Sequence, residues 1–141
     1  MDVEAGDAVT EANLPRTVEM ARSLARRTGA VVAVSGPIDV VSDGACTAVI
    51  RNGCATMARI TGSGCMLSAL LGAFCGGAPD QIFETTCAAV AAMGVAGELA
   101  EARRLRNGTG NATFRTDLID AIFNMTAEQL NGGAHCELYE G

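Results

Sequence analysis

Lysine and tryptophan are missing from this chain of 141 residues, and histidine occurs once, at position 135. Without lysine, a Walker-type phosphate loop, a Schiff-base enzyme and a pyridoxal-phosphate site are all excluded, because each depends on that amine. A Ser-His-Asp or Cys-His engine would have to rest on His135, which lies in a glycine-rich acidic tail. The net charge of −6 argues against a nucleic-acid surface, where a basic stripe is required. A secretory leader is not read at the N-terminus, since Asp2, Glu4 and Asp7 stand where basic residues belong. Cysteine is present at 46, 54, 65, 75, 87 and 136, but never as Cys-x-x-Cys, so zinc and a disulfide framework give way to reduced thiols in a cytoplasmic protein. The Asn-x-Thr triplets at Asn107, Asn111 and Asn124 matter only in secreted proteins and are discounted. The uncharged span from Ile60 to Pro79 is interrupted by Gly62, Gly64, Gly76 and Gly77. About eleven helix-forming apolar residues remain, which predicts a buried core helix rather than a membrane span.

The stretch Thr61-Gly62-Ser63-Gly64-Cys65 organises what is there. Two glycines permit a sharp backbone turn, and an almost wholly apolar run follows from Met66 to Cys75. The first N–H groups of a helix lack intrahelical partners and carry the positive end of its dipole. Such an end suits an anion, most often phosphate, and Cys65 lies where a thiolate would be stabilised. Inert packing of Cys65 remains the competing reading of the residues alone.

Along the chain, residues 1–12 read as acidic and irregular. Leu14, Val18, Ala21, Leu24 and Ala25 fall at helical spacing, which predicts a helix over 13–28 stopped by Gly29. The run Ala30–Val34 reads as a strand buried on both faces of a parallel sheet. Asp43-Gly44 and Asn52-Gly53 separate segments 40–42, 46–51 and 55–60, predicting a short antiparallel meander. Asp39 and Asp43 are read as turn residues rather than metal ligands. After the helix at 65–76, Asp80 is expected to cap a second one running to about Arg104. Gly108 and Gly110 mark a loop, and a last amphipathic helix is predicted over 113–130 with Phe114, Leu118, Ile122 and Phe123 inward. Met57 and Met93 are read as core filler, and residues 131–141 as a flexible tail of one domain spanning 1–141.

Four segments together resemble the C-terminal half of the hydroxyethylthiazole kinase family, within the ribokinase-like superfamily. Val32-Ala33-Val34-Ser35-Gly36-Pro37-Ile38-Asp39 resembles its strand ending in Thr-Gly-x-x-Asp. Val41-Ser42-Asp43-Gly44 with Arg51-Asn52-Gly53 resembles its meander, and Ala92-Met93-Gly94-Val95-Ala96-Gly97-Glu98 a later helix. Thr61-Gly62-Ser63-Gly64-Cys65 resembles its Gly-Thr-Gly-Cys signature, in which cysteine is diagnostic because most ribokinase-like enzymes have aspartate there. The likeness runs from about Val3 to Met125, with Ser35 and Ser63 in place of threonine. It implies an α/β fold of three layers, a mostly parallel sheet flanked by helices with a short antiparallel meander. No Asn-x-x-Glu, the family's magnesium motif, occurs in this chain. Asp2-Val3 resembles a segment from mid-chain of the family, so Met1 is expected to be a cut point with the other half upstream.

The resemblance implies phosphorylation of the hydroxyl of 5-(2-hydroxyethyl)-4-methylthiazole by ATP and Mg²⁺ in thiamine biosynthesis or salvage. By that carry-over Cys65, Gly64 and Ser63 form the catalytic loop, Ser35 and Gly64 face the nucleotide phosphates, and Gly62 faces the thiazole; no metal ligand is assigned within the chain. Cys65 would act as a base or would orient the hydroxyl. The family's trimeric assembly implies a homo-oligomer, with neither nucleic acid nor membrane as partner. Two other readings stand beside it. One is another ribokinase-like vitamin or small-alcohol kinase, such as a pyrimidine kinase. The other is a self-associating fragment without catalysis.

Overall fold

The computed structural model describes residues 9–141; the acidic start and the Asp2-Val3 likeness lie outside the described residues. Helix α1 (Leu14–Thr28) forms as its spacing requires, with Pro15 in the first turn. Gly29 ends it in the left-handed conformation, donating its N–H to the Ala25 carbonyl at 2.8 Å. Strands β1 (Val32–Val34), β2 (Asp39–Ser42), β3 (Thr47–Ile50) and β4 (Cys136–Leu138) make one sheet in the order β1-β2-β3-β4. Every pairing in it is antiparallel. Val34 faces Val40, Asp39 faces Ile50, and Ile50 faces Cys136.

The two central strands are apolar on both sides because both sides are covered. Val40 and Val49 turn toward α1, packing with Val18 and Ala21. Val41, Ala48 and Ile50 turn the other way, onto Cys87, Val90 and Ala91 of helix α3 (Ile82–Asn107). The result is three layers, helix on sheet on helix, in which period-2 alternation separates two apolar sets rather than apolar from polar. A third cluster is purely helical. Phe114 and Leu118 of α4 (Asn111–Phe123) pack on Met93, Ala96 and Ala100 of α3. By length and composition α3 is apolar enough to cross a membrane. Here it is the central core helix, flanked by α2 (Ser63–Gly77), α4, α5 (Ala127–Gly133) and the sheet.

Several expectations are corrected. Residues 32–34 are a strand, but it pairs antiparallel, lies at an edge, and leaves Ala33 exposed. Leu24, expected inside, is 45 % exposed on the outer side of α1. Segment 55–60 is not a third meander strand but a 3-10 turn over Ala55–Arg59. The capping residue of α3 is Gln81 rather than Asp80, and the helix continues past Arg104 to Asn107. The predicted helix 113–130 is two helices: Asn124 ends α4, and a capping box between Thr126 and Gln129 starts α5. That break leaves Phe123 88 % exposed. Residues 131–141 hold the end of α5 and strand β4, because the backbone groups of β3 are paired by Cys136–Leu138. Finally, α2 has no buried residue. Met66, Leu67, Leu70 and Leu71 lean on the core, while Cys65, Ser68, Ala69, Gly72 and Ala73 are exposed. Composition registers that a helix is apolar all round; what covers each side is a tertiary matter.

Gly94 marks a tight approach to backbone in this packing: a Cβ there would lie 2.4 Å from the Asn52 Cβ and 2.8 Å from its backbone carbonyl carbon. Gly94→Ala is expected to lower stability in urea unfolding by about 1–3 kcal/mol. Gly72→Ala, where a Cβ meets nothing within 4 Å, is expected to be neutral or stabilising.

Candidate functional site

The chain reaches its glycine turn from the end of β3, and one polar knot sets the path. Asn52 is buried; its Nδ2 donates to Glu98 Oε1 at 3.1 Å and to the Gly133 carbonyl at 2.8 Å. Its Oδ1 accepts the His135 N–H at 2.7 Å, and the Gly53 N–H reaches Glu98 Oε1 at 2.9 Å. Asn52-Gly53 is therefore a branch point rather than a hairpin turn. Gly53, at φ 117°, sends the backbone out of the sheet into the 3-10 turn.

Gly62 then adopts φ 95° and becomes the N-cap of α2. It offers no side-chain cap, so the first-turn amides of Ser63, Gly64 and Cys65 have no side-chain partner. The Gly62 carbonyl accepts the Met66 N–H at 2.9 Å, and Ser68 Oγ donates to the Gly64 carbonyl at 3.1 Å. A Cβ at Gly62 or Gly64 would meet nothing within 4 Å, so both lie against open space. Cys65 is an exposed free thiol in that same turn. The arrangement can accept an anion on the helix mouth and bring a sulfur beside it.

A second helix mouth opens next to the first. Gly110 caps α4 with no side-chain bond, and Asn111 Nδ2 donates to the Arg59 carbonyl at 3.2 Å. Arg59, Ile60, Thr61, Asn111, Ala112 and Arg115 line a cavity of about 440 Å³. On the loop just before α4, Thr109 Oγ1 is buried without a hydrogen-bond partner among the described residues. Two arginines and the uncapped start of α4 at this cavity fit a polyanion such as a nucleotide phosphate chain. Arg59, Arg115 and Asn111 were not singled out by the sequence. The signal was there only as Asn111 and Arg115 spaced one turn apart after the Gly108–Gly110 loop.

The structure thus brings Gly62, Ser63, Gly64 and Cys65 into one turn, while Ser35 lies exposed on a different one, between β1 and β2. Strand register puts the Ser35 turn at the same end of the sheet as Arg51–Gly53. Asp39 accepts the Gly36 N–H at 2.8 Å, and Asp43 Oδ1 accepts those of Ala45 and Cys46, so both carboxylates serve turns. Met93 is buried in the helical cluster, and Met57 packs against it. Gly108 ends α3 in the left-handed conformation, donating to the Arg104 carbonyl. The Cys54 thiol, pushed up by burial, donates to the Gly97 carbonyl at 3.5 Å.

Residues 3–128 match the model of the hydroxyethylthiazole kinase family. Hydroxyethylthiazole kinase of Clostridium acetobutylicum is 38% identical over 139 residues, covering 99% of this chain and 50% of that protein. Hydroxyethylthiazole kinase 2 of Methanosphaera stadtmanae is 37% identical over 130 residues, covering 92% and 45%. Among solved structures, hydroxyethylthiazole kinase protein from Pyrococcus horikoshii OT3 superposes with a TM-score of 0.79 at 28% identity, over 92% of this chain and 49% of that one. The chain spans about half the length of the curated relatives it matches.

One carboxylate near the sheet end makes stability depend on pH. Burial pushes Asp39 from 3.8 up to about 6, against the lowering effect of its bond from Gly36. A raised carboxyl favours the protonated folded state, so this contribution is complete below pH 3.8 and is lost as pH rises through about 6. Asp39→Asn is expected to flatten the stability change across that window and to be the more stable form at pH 7, as read from urea midpoints at several pH values.

Proposed function

The chain belongs to the hydroxyethylthiazole kinase family, and from that premise we propose that it carries the phosphate-holding half of a site that phosphorylates the hydroxyl of 5-(2-hydroxyethyl)-4-methylthiazole with ATP. The observation that carries this reading is the placement of Cys65 in the first turn of α2, behind a left-handed Gly62 and a side-chain-free Gly64. Phosphoryl transfer needs positioning and charge stabilisation more than covalent chemistry. The amides of Ser63, Gly64 and Cys65 supply preorganised donors for phosphoryl oxygens as charge develops on them. Cys65 Sγ stands beside those donors, where it orients the attacking hydroxyl and accepts its hydrogen bond. Arg59 and Arg115 neutralise the remaining phosphates across the cavity, and Gly62 leaves room for the thiazole. Ser35 supplies a further hydroxyl to the nucleotide from the β1–β2 turn. ATP, with Mg²⁺ as its counter-ion, supplies the transferred group when bound.

Relatives twice as long as the matched region place further parts of their fold outside it, so the chain alone is proposed to bind nucleotide weakly and turn over poorly. Cytoplasmic location belongs to the same proposal, as does assembly into a homo-oligomer. The exposed small-residue side of α2 and the exposed Phe123 support association. They also favour the second reading, a self-associating domain without catalysis. A pyrimidine or other vitamin kinase is disfavoured by cysteine rather than aspartate at position 65.

ADP release with Mg·ATP and hydroxyethylthiazole tests the assignment. The 141-residue chain is expected to stay at background, and the chain extended to the length of its relatives to turn over. In the extended form Cys65→Ala is expected to lower kcat about 10²–10⁴-fold with little change in the KM for ATP. Turnover indifferent to Cys65 would overturn the role given to it. Arg115→Ala is expected to raise the KM for ATP roughly tenfold or more while sparing kcat, as losing one charge-assisted bond requires. Sedimentation velocity should show an oligomer; a monomer would count against the association.

A further inference from the structure

Two thiols outside the proposed kinase site share one face of the sheet. Cys87 is buried on α3, packed with Val41, Ala48, Ile50, Val90 and Ala91. Cys136 opens β4 directly opposite Ile50. Residues directly opposed in an antiparallel pair send their side chains to the same face. Ile50 faces α3, so the register sends the Cys136 side chain toward α3 as well. That face of the sheet is the one on which Cys87 packs, so the two thiols share it.

Cys136 is held in that place from both sides. The His135 N–H is fixed on Asn52 Oδ1 at 2.7 Å, and the Tyr139 N–H on the Thr47 carbonyl at 2.8 Å. Small reagents can also reach it. Cys136 is exposed, and with Arg51, Ala134, His135 and Glu137 it lines a cavity of about 290 Å³. The remaining four cysteines are placed differently. Cys54 bonds to a backbone carbonyl and Cys75 to Thr85 and Thr86, while Cys46 and Cys65 are exposed.

We propose that Cys87 and Cys136 are a redox pair, closed reversibly to a disulfide by a peroxide. The division of labour follows from their surroundings. The neighbouring Cys87 thiol lowers the Cys136 thiol to about 7, against the raising effects of partial desolvation and the Glu137 carboxylate. The Cys136 thiol, with burial, pushes Cys87 well up. Cys136 is therefore the thiolate that attacks, and Cys87 is the resolving thiol. The Cys136 sulfur attacks one peroxide oxygen, the O–O bond breaks, and the other oxygen leaves as water, giving a sulfenic acid. The Cys87 sulfur then attacks the sulfenyl sulfur, the S–S bond forms, the S–O bond breaks, and a second water leaves with the Cys87 proton. Two thiols are oxidised and one peroxide is reduced to two waters. In a reducing compartment the bond would be transient, as sensing disulfides are. Closing it fastens β4, exposed along its length, to the central helix.

The test uses the folded chain treated with stoichiometric hydrogen peroxide, alkylated, digested and analysed by mass spectrometry. The expected product is one linked pair containing Cys87 and Cys136, opened by dithiothreitol, with the other four cysteines alkylated. Hydrogen exchange at the β4 amides should slow roughly tenfold in that product. In Cys87→Ser, oxidation should stop at a Cys136 sulfenic acid that dimedone traps. A disulfide joining any other cysteines overturns the pairing. So does a wild-type chain whose Cys136 proceeds to sulfinic acid while Cys87 stays a free thiol.

Discussion

The contact between Asn52 and α3 is the constraint on which the rest of this structure depends. Asn52 leaves the sheet at the end of β3 and is pressed against Gly94, where a side chain would not fit. Its amide and the Gly53 N–H share one oxygen of Glu98, one helical turn beyond Gly94, so the strand end is bound to the helix by polar contacts as well as packing. The same Nδ2 also donates to the Gly133 carbonyl, and Oδ1 accepts the His135 N–H, which holds the segment joining α5 to β4. A buried amide must satisfy both its donors and its acceptor, and here each bond reaches a different element. Sheet, central helix and C-terminal strand are thereby tied at one point.

The candidate site is built outward from that point. Gly53 turns the chain away from the sheet, the 3-10 turn carries it across α3, and Ile60 packs into the helical cluster before Gly62 opens α2. The loop itself is held by few contacts of its own. Its amides are available because nothing in the first turn of α2 caps them, and its glycines face open space. What positions it is the buried framework behind it: Met66, Leu67 and Leu70 on one side, and α4 tied to the Arg59 carbonyl on the other. A rigid core presenting bare donors is the arrangement an anion-binding turn requires.

Much of this was legible in the residues. The glycine at 29, the Asp43-Gly44 turn and the Thr61–Cys65 loop announce backbone conformations that few other residues adopt. Val40-Val41 and Ala48-Val49-Ile50 are apolar without alternation because helices cover both faces of their strands. Asn52-Gly53 misled, since the same dipeptide that favours a hairpin also suits a buried amide beside a left-handed glycine. Residues 113–130 misled because helical spacing continues through Asn124, although the Thr126-x-x-Gln129 capping box was there to be read. Of the site residues Arg59, Asn111 and Arg115, only the one-turn spacing of the last two was legible. Arg59 lies 52 residues before Asn111 and shares their cavity only because α4 folds back on α3.

The sequence by itself determined the local chemistry: which turns need glycine, which segments are apolar, where an uncapped helix start sits, and that Cys65 stands in it. Those properties follow from single residues and short spacings, where sterics and hydrogen-bonding capacity are intrinsic to the chain. Tertiary structure decided the rest. It chose an antiparallel partner for residues 32–34, recruited 136–138 as a strand, exposed one side of α2, and set Cys136 on the sheet face that packs Cys87. Pairing and burial depend on which surface arrives opposite each segment, and that is a property of the folded whole.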